Sequence, residues 1–319
     1  MLVTFWGTRG SLPTPLSARD VRAKIRESLL LARSHHFADE RELDAFIDHD
    51  LPFELNGTFG GNTACVQIDG GGPGYVLCDA GSGLRVFGND VLAKHEPGEP
   101  QTYHIFMSHM HWDHIMGFPL FTPALIAGNQ IRIYGCHADL QAAFVRQHGA
   151  PSFPLPFEFL GATIEFVQLA PGVPAEIAGF TVTPSLQRHG GDSYGYRFER
   201  DGKAVVYATD SEHKFTTRED EAPYLAFFRD ADLLVFDAMY SLGEAVSMKE
   251  DWGHSTNIAG VELAARSGVK HLVLFHHEPM YDDAMIERVL GDARRYRELV
   301  EEWAHFEISS AYDGLEITL

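Results

Sequence analysis

Cysteine is scarce and basic side chains are in deficit in this sequence. Cys65, Cys78 and Cys136 are an odd number at wide spacings, with no Cys-x-x-Cys pair, which argues against a disulfide framework or a thiolate metal knot. They read as reduced core thiols of a cytoplasmic protein. No apolar run approaches the roughly 20 residues that a membrane-spanning helix needs. The opening MLVTFWGTRG also lacks a basic region followed by a long apolar segment, so no membrane partner is expected. With 25 Lys and Arg against 45 Asp and Glu, the net charge of −20 disfavours a broad grip on a nucleic-acid backbone, and nucleic acid is not an expected partner. A small phosphate ester stays open as a substrate, because bound dications set the local field against the global sign.

Apolar residues are plentiful, at 45% of 319 positions, enough for a substantial core. Most of the 17 histidines stand alone; His35, His95, His137, His148 and His305 read as surface or capping residues. The exception is IFMSHMHWDHIMGFPLF, where an apolar run reading as a buried strand stops at His109, His111, Asp113 and His114. Alternation places His109, His111 and Asp113 on one side of an extended segment, and His114 reaches round once the chain turns. Neutral imidazoles and a carboxylate are ligands that a borderline-soft cation such as zinc accepts.

Elsewhere the sequence reads as strands interleaved with helices. A strand over residues 2–6 and a turn-rich loop precede two helical stretches, from Ser17 to about Ser34 and from Asp39 to about His49. This pair, within about 18–56, reads as a helical hairpin inserted into one domain spanning 1–319. It can serve as a lid, as a homodimer contact, or as packing on a sheet edge. A glycine-rich hairpin then leads to a strand ending at Asp79, which can cap the next helix or orient a metal ligand. Further strands run into His189, Asp210, Asp237 and His276, a helix opens after Ser255–Asn257, and a long polar helix runs from Asp282 to about Trp303. Two short strands surround an Asp313-Gly314 turn. This pattern predicts two mixed sheets sandwiched between helical layers.

The order His-x-His-x-Asp-His, then a lone His, a lone Asp and a last His, resembles the metallo-β-lactamase superfamily, which implies an αββα sandwich. The resemblance implies that His109, His111 and His189 hold one divalent ion. It implies further that Asp113, His114 and His276 hold a second and that Asp210 bridges the two. His276 is preferred over His277 because it directly follows its strand. Zinc, manganese and iron all accept this ligand mixture. VFDAMY, WGHSTN and GVKHLVLFHHEP resemble ribonuclease Z and its phosphodiesterase relatives, where a motif histidine acts on the phosphate and leaving group. Here that histidine is His254, with Asp237 as its carboxylate partner, and Asp113 joins them as a catalytic candidate. FWGTRGSLPTP, FGGNTACVQID, DAGSGL and AYDGLEI look more like the phosphoribosyl cyclic phosphodiesterase-like relatives. The expectation is a dinuclear metal-dependent phosphodiesterase for a small phosphodiester, such as a cyclic nucleotide or related cyclic phosphate. The alternatives are a tRNA 3′-processing endonuclease and a non-hydrolytic, metal-containing ligand sensor.

Overall fold

A computed structural model of the chain describes residues 1–96, 98–245, 249, 251–299 and 306–319. The first half runs β1 (Leu2–Gly7), α1 (Ala18–Ala32), α2 (Glu40–Ala45), α3 (Phe53–Asn56), β2 (Cys65–Asp69), β3 (Tyr75–Cys78), α4 (Gly83–Lys94), β4 (Thr102–Phe106), α5 (Trp112–Ile115), β5 (Gln130–Gly135), α6 (Leu140–Gln147) and β6 (Thr163–Gln168). The second runs β7 (Ala175–Ile177), β8 (Phe180–Gln187), β9 (Ser193–Arg200), β10 (Lys203–Ala208), α7 (Arg218–Phe228), β11 (Leu233–Asp237), α8 (Leu242–Ala245), α9 (Asn257–Ser267), β12 (His271–Phe275), α10 (Asp283–Glu298), β13 (Glu307–Ser310) and β14 (Glu316–Thr318).

These strands form two sheets of seven, ordered β14-β1-β2-β3-β4-β5-β6 and β13-β12-β11-β10-β9-β8-β7. Each is mixed: β3 to β6 and β10 to β13 are parallel, and the remaining pairings are antiparallel. Strand alternation explains the layering. On β11 and β12, Val235, Val273 and Phe275 face the other sheet and join Phe5, Val66, Phe106 and Tyr196 in a central core. Their neighbours Leu234, Phe236, Leu272 and Leu274 face outward and pack on Phe228, Leu263 and Ile286 of the covering helices. A matching outer core joins Leu77, Tyr103 and Ile133 to Leu84, Phe87 and Phe144 of α4 and α6. Apolar residues on both faces are why these strands read as continuous hydrophobic runs.

Two elements depart from the sequence-based picture. β13 and β14 flank the Asp313-Gly314 turn without pairing with each other: β13 lies parallel to β12, whereas β14 crosses over and pairs antiparallel with β1. α7, capped by Thr217, has no counterpart in that picture, because Pro223 lies inside it and argues locally against a helix. Residues 18–56 carry α1, α2 and α3 with non-helical breaks between them, and α1 buries none of its side chains. Lys24 anchors it, its Nζ lying 2.5 Å from Asp283 Oδ2 and 2.8 Å from the Gly57 carbonyl. α10 is described through Glu298; the expected extension to Trp303, and His305, lie outside the described residues. No helix among the described residues is long and apolar enough to cross a membrane.

Candidate metal centre

The carboxyl ends of the parallel strands share one rim, the place where open α/β sheets present groups to ligands. Ala208 pairs with Phe236, and Asp237 pairs with Phe275, so Asp210, Asp237 and His276 leave three neighbouring strands side by side. On the other sheet Cys78 pairs with Phe106, which sets Asp79 beside Ser108 and His109. Asp79, Asp210 and His276 all adopt left-handed backbone, with φ of 62°, 53° and 63°. That region is sparsely occupied outside glycine and turns the chain sharply at each strand end.

Seven side chains converge at the rim. Ligand atoms of His109, His111 and His189 lie within 4.8 Å of one another, and so do those of Asp113, His114 and His276. Asp210 stands between the two groups. Its Oδ1 lies 3.3 Å from Nε2 of both His114 and His276, and its Oδ2 lies 3.6 Å from His109 Nε2 and 3.8 Å from His189 Nε2. Asp113 Oδ2 is 3.2 Å from Nε2 of both His114 and His276. His277 turns away and donates from Nε2 to the Ala311 carbonyl at 2.8 Å.

A surrounding layer fixes the imidazoles. His114 Nδ1 donates to Asp79 Oδ2 at 2.7 Å and His189 Nδ1 donates to the Gly253 carbonyl at 2.8 Å, which turns each Nε2 toward the cluster. Asp79 is saturated by the Ser108 amide and hydroxyl and by the Tyr207 hydroxyl. The Ser11 amide donates to Asp113 Oδ2 at 2.8 Å. Gly253 has φ +81°, and a Cβ there would sit 2.5 Å from His189 Nδ1, so glycine is required on both counts.

Electrostatics follow from this packing. Burial pushes His109 well below the ordinary imidazole range, with the positive potential of His114 in the same direction. Burial opposes the charge on His114 too, yet Asp210, Asp113 and Asp79 outweigh it and hold that ring well above its usual value. Asp113 and Asp210 pay for burial but stay ionised far below the carboxylate range, Asp113 chiefly through His114 and His276 and Asp210 through His276, His114 and His109. Beside them, His254 Nδ1 donates to Asp237 Oδ2 at 2.9 Å, and Asp237 also accepts from the Ser211 and Met239 amides. Burial lowers His254, but Asp237 reverses the sign and brings it to about 9.

The donor set fits divalent cations. Nε2 of His109, which faces Asp210 across the cluster, is buried without a hydrogen-bond partner, an expensive state for a polar atom unless something else engages it. A group of three imidazoles and a group of two imidazoles and a carboxylate, with the Asp210 carboxylate between them, are suited to a pair of such ions. Of the groups the sequence left unnoticed, Ser11 contributes a backbone amide and Ser108 and Tyr207 reach Asp79 only through the fold.

Fold and site together define a metal-dependent hydrolase. The family described as a β-lactamase superfamily domain matches residues 75–277, and the chain belongs to it. Ribonuclease Z of Listeria monocytogenes is 26% identical over 243 residues, covering 62% of this chain and 77% of the relative. Among solved structures, the metallo-β-lactamase fold protein YhfI of Bacillus subtilis superposes with a TM-score of 0.64 at 18% identity, covering 99% of this chain and 98% of that one. A diphosphatase from the PhnP family superposes with a TM-score of 0.59 at 19% identity, covering 100% and 97%.

Proposed function

We propose that this protein is a dinuclear metal-dependent phosphodiesterase acting on a small phosphodiester, a cyclic nucleotide or a related cyclic phosphate. The observation that carries the reading is the His254–Asp237 pair, hydrogen-bonded at 2.9 Å against the candidate metal cluster. His109, His111 and His189 would hold one ion and Asp113, His114 and His276 the other, with Asp210 placed between the two groups; zinc suits the set, and manganese or iron also fit. Bound there, divalent cations supply Lewis acidity toward phosphoryl oxygens and lower the pKa of water.

The chain's own groups do the rest. Asp237 holds the His254 ring in one tautomer and favours its charged form. His254 then gives a proton to the departing ester oxygen as that P–O bond breaks and a water oxygen bonds to phosphorus, the proton that this water sheds passing to solvent. A lactone or thioester hydrolase on the same scaffold has no need of this pair.

A second reading, tRNA 3′-end processing, is supported by the relatives named ribonuclease Z. Against it stands the net charge of −20, which opposes binding of a long polyanion. Metal analysis coupled to a panel of cyclic and linear phosphodiesters and a precursor tRNA separates the two. Turnover of small diesters is expected, and strongly salt-sensitive cleavage of precursor tRNA alone would favour the nuclease. His254→Ala is expected to keep its metal and lose roughly 100-fold or more in kcat. Unchanged kcat would remove His254 from the mechanism.

A further inference from the structure

We propose that Trp112 is a stacking platform for a planar ring on the substrate, and that this face selects a nucleoside-type diester over one without a ring. The inference rests on the phosphodiesterase reading for its chemistry. Its first observation is the exposure of Trp112, 74%, at a site where the sequence could have spared an indole. Large aromatic side chains ordinarily bury most of their surface. The local helix explains why this one cannot. Asp113 and His114 are buried on the single turn of α5, while the preceding Trp112 stays exposed and borders the same cavity as His109 and His111. Trp112 is therefore fixed by the same backbone that positions His111 and Asp113, a rigid mounting beside the reacting centre.

The second observation is the space it borders. A cavity of about 910 Å³ opens from His109 and His111, with Met110, Trp112, Leu120 and Phe153 in its wall. The polar part of its lining includes Arg146, Gln147 and Asp139, which offer donors and acceptors. A purely aliphatic ligand would satisfy the apolar wall and leave these polar groups without use. A heterocycle satisfies both, with its face on the indole and its edge toward the polar groups. Among the described residues Arg146 is the one Lys or Arg in this lining, so the cavity has the cationic complement of a single small anion rather than of a strand of phosphates.

Two probes test this independently of turnover. Adenosine 5′-monophosphate and ribose 5-phosphate share a phosphate and a sugar and differ by the ring. The metal-loaded protein is expected to bind the first at least about tenfold more tightly, with a change in indole emission. Trp112→Ala is expected to erase that preference at unchanged metal content, and Trp112→Phe to restore much of it. In kinetics, Trp112→Ala should raise KM for 3′,5′-cyclic AMP about tenfold and leave KM for ethylene phosphate, a cyclic diester with no nucleobase, unchanged.

Equal binding of the two monophosphates by the wild-type protein, or a preference that survives Trp112→Ala, overturns the platform even if diesters are hydrolysed. An oligonucleotide binding far more tightly than the mononucleotide, with steep salt dependence, overturns it in favour of a strand. Absence of turnover on every diester sinks the phosphodiesterase reading, while the monophosphate comparison still decides the platform.

Discussion

His277 shows how one side chain sets a pH limit on the whole fold. It is 3% exposed, and burial, with the Arg9 charge second, lowers its pKa to about 3. An unfolded chain takes up a proton at this residue near the ordinary 6.5, and the folded one refuses it until about 3. Between those values the unfolded state binds more protons, so stability falls with pH by about 1.4 kcal/mol per pH unit from this group. Denaturant midpoints of metal-free protein, measured from about pH 7 to about pH 4.5, should fall less steeply in His277→Gln than in wild type. Identical slopes would mean the ring is not held neutral. At this scale the sequence was informative where chemistry restricts residue type: the His-x-His-x-Asp-His cluster, His189, Asp210 and His276 stand out because few structural roles need them at strand ends. It was silent on Ser108 and Tyr207, whose task of saturating Asp79 depends on rotamers and on contacts between distant strands.

Elements differ in what they bury, and their tolerance should differ accordingly. α1 leaves Ile25 56% and Leu29 66% exposed, so Ile25→Ser and Leu29→Ser should each change unfolding free energy by no more than about 0.5 kcal/mol. Phe236 on β11 is fully buried against Phe228 and a cross-layer core, and Phe236→Ala should cost about 3–5 kcal/mol. A large loss in either α1 variant would reveal a covering partner for that helix. The same contrast explains which elements were readable. β10, β11 and β12 announce themselves by unbroken apolar runs, and the β9–β10 hairpin by its Asp201-Gly202 turn, both residues of which adopt positive φ. α7 does not, because its proline contradicts locally what packing against α9 enforces globally.

For the molecule as a whole, the candidate site is a seam between sheets. His109, His111, Asp113 and His114 come from the first, and His189, Asp210 and His276 from the second. Ions bound there engage only the folded state, so at about 100-fold excess over Kd each binding event should add about 2.7 kcal/mol. Chelator-stripped protein should unfold at lower temperature than protein resupplied with zinc or manganese, and Asp210→Ala should lose most of that difference. Equal melting of stripped and resupplied wild type would deny that the cluster binds either ion. The two-sheet sandwich was legible from strand and helix order, but the pairing of β14 with β1 was not, since strand partners so far apart leave no local mark. That pairing has a consequence for biosynthesis. β1 keeps one flank of bare peptide groups until Glu316–Thr318, made long after it, arrives to cover it, so the growing chain carries an open, adhesive margin while the residues between the two strands are synthesised.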